Sequence, residues 1–163
     1  YVGIWFSCCV VSKHSYTITL SNNKTEKQAI DYLLQTDERF LLPSTDGRKQ
    51  IVQALGLDSR YSRTFDLFTL PGHTNDEDEI TTEQAEQITL IELKTTQKYL
   101  PDLPKGFFFG ATQNEFDVAE KLGEQYQFCF VSLHRDSQGF KLLSGAEVNE
   151  MIKTKRTQYQ INL

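Results

Sequence analysis

Leu90-Ile91-Glu92-Leu93-Lys94-Thr95-Thr96 is the stretch on which the reading of this chain turns. It lies in an apolar run, Ile88–Thr95, whose composition predicts a β-strand. Side chains alternate across a strand, so Glu92 and Lys94 share one face about 6.7 Å apart along the chain. Ile91 and Leu93 point the other way, into a core. Burying a Glu and a Lys on one face of a sheet is costly unless they pair with each other or bind something.

Working outward, Thr64–Leu70 predicts the preceding strand, with Phe65 and Leu67 on one face and Asp66 and Phe68 on the other. If the two strands are neighbours, Asp66 stands beside Glu92. Adjacent carboxylates repel, and a divalent cation is the usual remedy. A hard cation on oxygen ligands with an amine beside it suits phosphodiester hydrolysis. The metal acidifies a bound water, and Lys94 orients that water or stabilises developing charge. The plainer alternative is a surface Glu–Lys pair on an edge strand, with Asp66 a strand-end residue.

The flanking segments predict one α/β domain over residues 1–163, with a mixed central sheet flanked by helices. Gly3–Val11 and Tyr16–Leu20 carry the Val, Ile, Thr and aromatic content of strands, with Ser12-Lys-His14 as a turn. Ser21-Asn-Asn-Lys24 breaks that pattern. From Thr25 the spacing of Ala29, Ile30, Leu33 and Leu34 is helical. A short helix follows Asp46-Gly47, with Ile51, Val52 and Leu55, and stops at Gly56. Downstream come a strand at Gly106–Ala111, a helix from Thr112 to Gly123, strands at Tyr126–Leu133 and Phe140–Leu143, and a small helix opened by Ser144-Gly-Ala-Glu147.

The chain of 163 residues carries a net charge of −5. That balance is unevenly placed. Six of its 22 acids fall between Pro71 and Glu86, where no Lys or Arg occurs, leaving 16 acids against 17 bases elsewhere. Residues 71–86 are thus expected to form a solvated acidic loop outside the fold. The nearly neutral remainder permits a nucleic-acid partner without predicting one. No apolar run reaches the 18 residues or so of a membrane helix. Three cysteines, Cys8, Cys9 and Cys129, suit buried thiols in a reducing cytosol better than disulfides or a zinc site, so a cytoplasmic location without membrane contact is expected.

Other residues have bland readings beside functional ones. Thr112 and Glu115 have the spacing of a capping box, which accounts for Glu115 better than a catalytic role. Glu26 is a candidate extra metal-site carboxylate, but a solvated helix face beside Lys24 and Lys27 explains it more simply. Phe107-Phe108-Phe109 offers a stacking platform for bases, yet a buried central strand is the simpler reading. His14, His73 and His134 show no metal-ligand spacing. Lys98 and Lys105 flank the Glu92–Lys94 motif and Arg63 leads to Asp66; these are the candidate DNA-binding residues, with a solvated face the default for each taken singly. Arg48, Lys49 and Arg60 extend that track.

Over residues 60–133 the chain resembles the PD-(D/E)xK nuclease superfamily of restriction endonucleases and junction resolvases. The resemblance is carried by Thr64-Phe-Asp66-Leu-Phe, by Leu90-Ile-Glu92-Leu-Lys94-Thr-Thr, and by Phe107-Phe-Phe-Gly110. It continues through the helix start with Asn114-Glu115-Phe116 and the strand Tyr126–Val131. The order is most similar to bacterial domains related to the C-terminal region of the plant NO VEIN protein, often found in restriction systems. Phe65 stands where the superfamily often has Pro, and 26 positions separate Asp66 from Glu92. The resemblance implies a restriction-endonuclease-like fold and Mg²⁺ or Mn²⁺ held by Asp66, Glu92 and the Leu93 carbonyl, with Lys94 serving the attacking water. The expected function is metal-dependent DNA endonuclease, with recognition supplied by a homodimer or by an additional domain or subunit. The alternatives are a non-catalytic nucleic-acid-binding or assembly module with the same fold, and a small-ligand or peptide binder using the acidic loop.

Overall fold

The computed structural model describes residues 13–74 and 79–157. The chain begins with α1 (Lys13–Thr36), followed by α2 (Thr45–Ala54) and a 3₁₀ turn (Ser59–Arg63) that leads into the short strand β1 (Leu67–Thr69). A second 3₁₀ segment (Thr82–Gln87) precedes β2 (Thr89–Thr96). Then come α3 (Gln113–Leu122), β3 (Tyr126–Ser132), β4 (Gly139–Ser144) and α4 (Gly145–Met151). The four strands form one mixed sheet in the order β1-β2-β3-β4. β1 runs antiparallel to β2 with Leu67 opposite Ile91, and β4 antiparallel to β3 with Leu143 opposite Phe128. β2 and β3 are parallel, with Leu90 opposite Tyr126 and Lys94 opposite Phe130. Parallel neighbours need a crossover, and α3 lies within it.

The protein is therefore an α/β fold with a four-stranded mixed sheet flanked by helices. Two-residue alternation divides the sheet between two cores. One face sends Leu67, Ile91, Leu93, Cys129 and Val131 against Ala29 and Leu33 of α1. The other sends Phe68, Leu90, Tyr126, Phe128, Phe130 and Leu143 against Ile51 and Val52 of α2, Val118 and Ala119 of α3, and Val148 of α4. Local signals set the helix ends. Ser44, Thr112 and Ser144 each accept a hydrogen bond from the backbone N–H three residues on. Gly123, at φ 56°, closes α3 in a conformation a side chain would oppose. Among the described residues no helix is long and apolar enough to cross a membrane.

Several expectations are corrected. Tyr16–Leu20 is helical, and α1 runs without a break through Ser21-Asn-Asn-Lys24 and through Lys13-His14 of the expected turn. Strand propensity is a weak prior. Once Ala29 and Leu33 dock, extending a formed helix costs far less than nucleating another element. The expected strand Gly3–Val11 lies outside the described residues. Gly106–Ala111 is irregular rather than a strand, and Phe107-Phe108-Phe109 is no buried central strand. Phe107 and Phe109 set their rings 5.1 and 5.2 Å from Phe130, while Phe108 is 90% exposed. Only Leu67–Thr69 pairs as a strand, and Phe65, still leaving the 3₁₀ turn, joins the core of Phe68 instead of that of Leu67.

The segment 71–86 is also more than a solvated loop. Ile80 is buried against α2, and its N–H donates to Gln50 Oε1 at 3.1 Å. Gln125 Nε2 donates to the carbonyls of Ala85 and Ile88 at 2.7 and 2.8 Å, tying the second 3₁₀ segment to the start of β3. The acids are exposed where they are described, and the apolar residue between them packs. Charge composition marked the solvated part and overlooked its anchor.

Candidate functional site

Glu92 and Lys94 lie on the β2 face that packs toward α3, and both are buried at 8% exposure. Lys94 Nζ donates to Glu92 Oε1 at 2.8 Å and to Glu115 Oε2 at 2.7 Å. The Phe109 ring centroid lies 5.9 Å from the same nitrogen. Shared-face placement of Glu92 and Lys94 is as alternation predicts, whereas the second carboxylate on Lys94 comes from another element. Glu115, expected as a capping residue, takes part in the cap by donating its backbone N–H to Thr112 Oγ1 at 3.3 Å. Its side chain turns inward, receiving Thr112 Oγ1 on Oε1 at 3.0 Å and Lys94 on Oε2. The capping-box spacing was the available signal, and it pointed to the local role only.

Asp66 immediately precedes β1, and its N–H donates to the Ile91 carbonyl at 2.8 Å. This bond is one residue out of the β1–β2 register, in which Leu67 is opposite Ile91, so Asp66 and Leu67 both stand against Ile91 at the end of the ladder. Asp66 Oδ2 accepts the Leu93 N–H at 2.8 Å, capping β2 where β1 has ended. A strand residue sends its N–H and C=O to the same side, so the Leu93 carbonyl faces this open edge too. Arg48 of α2 fastens the approach to Asp66. Its guanidinium donates to the carbonyls of Phe65, of Ser62 at 3.4 Å and of Asp66 at 3.3 Å, over the Phe65 ring. Those donors are committed to backbone, which corrects the expectation that Arg48 lines a phosphate track. Tyr126, fully buried in β3, donates its hydroxyl to the Thr64 carbonyl and steadies the same turn.

The electrostatics follow from crowding. Burial, then the Asp66 charge, pushes the Glu92 carboxyl up to about 9, with Lys94 opposing. Burial likewise raises Asp66, against the Leu93 N–H and the charge of Arg48. For Lys94 burial works downward, but Glu92 and Glu115 outweigh it and raise the ammonium pKa. Glu26 of α1 is drawn into the same field. Partial burial and then the Asp66 charge raise its carboxyl, while Lys94 and Arg48 oppose. Glu26 itself is exposed beside Lys24 and Lys27, as the solvated-face reading expects, although its carboxylate feels the Asp66 charge.

Three carboxylates around one ammonium leave a surplus of buried negative charge, which a proton or a cation relieves. Among the described residues, no three His, Cys, Asp or Glu side chains converge as a ready metal cage. The donors that remain are Asp66 Oδ1 and Glu92 Oε2, which have no hydrogen-bond partner among the described residues, together with the Leu93 carbonyl. All are hard oxygens, so the donor set fits Mg²⁺ or Mn²⁺, which are commonly held by one or two carboxylates with water completing the shell. The three candidate DNA-binding residues are exposed and touch none of Asp66, Glu92 and Lys94. Lys105 lies 3.9 Å from Asp102, Lys98 follows β2, and Arg63 ends the first 3₁₀ turn.

No family model, curated protein or solved structure matches this chain.

Proposed function

We propose that this protein is a metal-dependent DNA endonuclease with a restriction-endonuclease-like fold, acting in the cytoplasm in a restriction or defence system. The observation that carries the reading is Asp66 at the open edge of β2, its carboxylate on the Leu93 N–H and its charge felt by Glu92, with Lys94 on the Glu92 face. Asp66, Glu92 and the Leu93 carbonyl would hold Mg²⁺ or Mn²⁺, which when bound supplies a water acidic enough to attack a phosphodiester at neutral pH. Asp66 and Glu92 bring the negative charge that attracts the cation. Lys94 brings the positive charge that opposes charge growing on the phosphate and orients the nucleophile. Lys98, Lys105 and Arg63 supply exposed positive charge for the DNA backbone, which positions without reading sequence. Base readout then falls to a second copy of the chain or to an additional domain or subunit.

A second reading, a non-catalytic nucleic-acid-binding or assembly module, is favoured by one observation. Lys94 already bridges Glu92 and Glu115, and a satisfied ion network is what a purely structural role requires. Cleavage separates the two. Plasmid and genomic DNA, methylated and unmethylated, are incubated with Mg²⁺ or Mn²⁺. Wild type is expected to cut. Lys94→Ala is expected to lose about 10²–10³-fold in rate while still binding DNA in Ca²⁺. Glu92→Ala should lose both cutting and Mn²⁺ binding. Cutting unchanged in both variants refutes this site, and absence of Mn²⁺ binding by wild type favours the structural module.

A further inference from the structure

Glu115 is a buried charge that the proposed reaction leaves unused. Its carboxylate is held at both oxygens, by Thr112 Oγ1 at 3.0 Å and by Lys94 Nζ at 2.7 Å, with side chains of Glu115 and Lys94 only 9% and 8% exposed. It sits in the first turn of α3, where the helix dipole favours negative charge. Glu92, by contrast, shares Lys94 with the Asp66 field and has been assigned to the cation. A carboxylate cannot give its full charge to a metal while also serving as the main counter-charge of a buried ammonium.

We propose that Glu115 is the positioning residue of this site, holding the Lys94 ammonium from the α3 side so that Glu92 is released to bind a cation. The inference rests on the metal-site reading above and adds to it a division of labour between two carboxylates. Without Glu115, Lys94 falls wholly onto Glu92 and competes with the metal for it. With Glu115, Lys94 keeps a fixed partner whether Glu92 is engaged or not. The cap hydroxyl of Thr112 makes that partner rigid, and the Phe109 ring closes another side of the ammonium.

The test uses the full chain and has a metal-free arm. A buried, ion-paired ammonium exchanges its protons slowly enough for detection by ¹⁵Nζ NMR, and the Lys94 signal is identified by its loss in Lys94→Met. That signal is expected to persist in Glu92→Gln and to be strongly displaced in Glu115→Gln, where the ammonium passes wholly to Glu92. An unmoved signal in Glu115→Gln overturns the proposal. In the second arm, Mn²⁺ affinity is expected to fall about tenfold or more in Glu115→Gln, the scale at which outer-shell partners act. Glu115→Asp, which keeps the charge, is expected to recover part of that affinity. The loss should be clearly smaller in a Lys94→Met background, and an equal loss in both backgrounds overturns the proposal. Melting curves confirm that each variant is folded. Failure of wild type to bind Mn²⁺ at all refutes the metal site itself, while the NMR arm still decides whether Glu115 positions Lys94.

Discussion

Asp66 has one carboxylate oxygen on the Leu93 N–H and the other without a hydrogen-bond partner among the described residues. The two oxygens therefore answer different questions. Asp66→Asn keeps an acceptor for the Leu93 N–H and removes a half-buried charge whose pKa is raised, so without metal the melting temperature should hold or rise. Asp66→Ala leaves the Leu93 N–H without its partner and should cost about 1–3 kcal/mol. Both variants should lose Mn²⁺ binding. Urea unfolding in EDTA measures the difference. Equal destabilisation by the two substitutions would show that the charge itself, and not the acceptor, holds the strand end.

Among the elements, α3 and α4 approach closely at Gly145. A Cβ placed on Gly145 would come within 2.8 Å of Ala119 Cβ, a separation that packed atoms do not tolerate. Gly145→Ala is thus expected to destabilise the fold by about 1–3 kcal/mol through overpacking. Adding Ala119→Gly should recover part of the loss, less about 1 kcal/mol for glycine inside a helix. Paired melting curves test the coupling, and simple additivity of the two changes would show that the helices do not meet there. The 3₁₀ segment before β2 makes a related point, because Ile80 anchors an otherwise acidic stretch. Ile80→Ala should cost about 2–4 kcal/mol. A change near zero would return residues 71–86 to the status of a solvated loop.

For the whole molecule, the surplus of buried negative charge makes stability depend on pH. The folded-state pKa of Glu92, about 9, lies above its ordinary value of 4.5. The folded state then holds a proton that the unfolded state has released. The corresponding stability is fully present below about pH 4.5 and is lost as pH rises toward 9. One pKa unit is about 1.4 kcal/mol, so even half of this shift amounts to about 3 kcal/mol. Denaturant unfolding in EDTA at pH 5 and pH 9 should show wild type weakening, with a flatter response in Glu92→Gln. Mg²⁺ should restore wild-type stability most at the higher pH, where the carboxylate it would bind has lost its proton and no proton competes with the cation. An equally steep fall in Glu92→Gln would place the titration on another group.

Short-range physics decided much of this protein before it folded. A two-residue period puts Glu92 and Lys94 on one strand face, and caps at Ser44, Thr112 and Ser144 act within three residues of themselves. Such signals are legible because the chain carries both partners within a turn or a pleat. The α/β class and the strand at Tyr126–Leu133 were legible for the same reason. The rest of the site depends on partners far along the chain. Lys94 meets Glu115 across 21 residues, Arg48 reaches the Phe65 carbonyl across 17, and Tyr126 reaches the Thr64 carbonyl across 62. No local period records such pairings, because they exist only once the sheet has brought α2, α3 and β3 around the end of β2. The helical fate of Tyr16–Leu20 belongs with them. Its composition favoured a strand, and continuity with a helix docked through Ala29 and Leu33 outweighed that preference. The amino-acid sequence alone thus determined which side chains share a face, and tertiary packing decided which charges would meet, because burial makes a distant counter-charge worth more than a local preference.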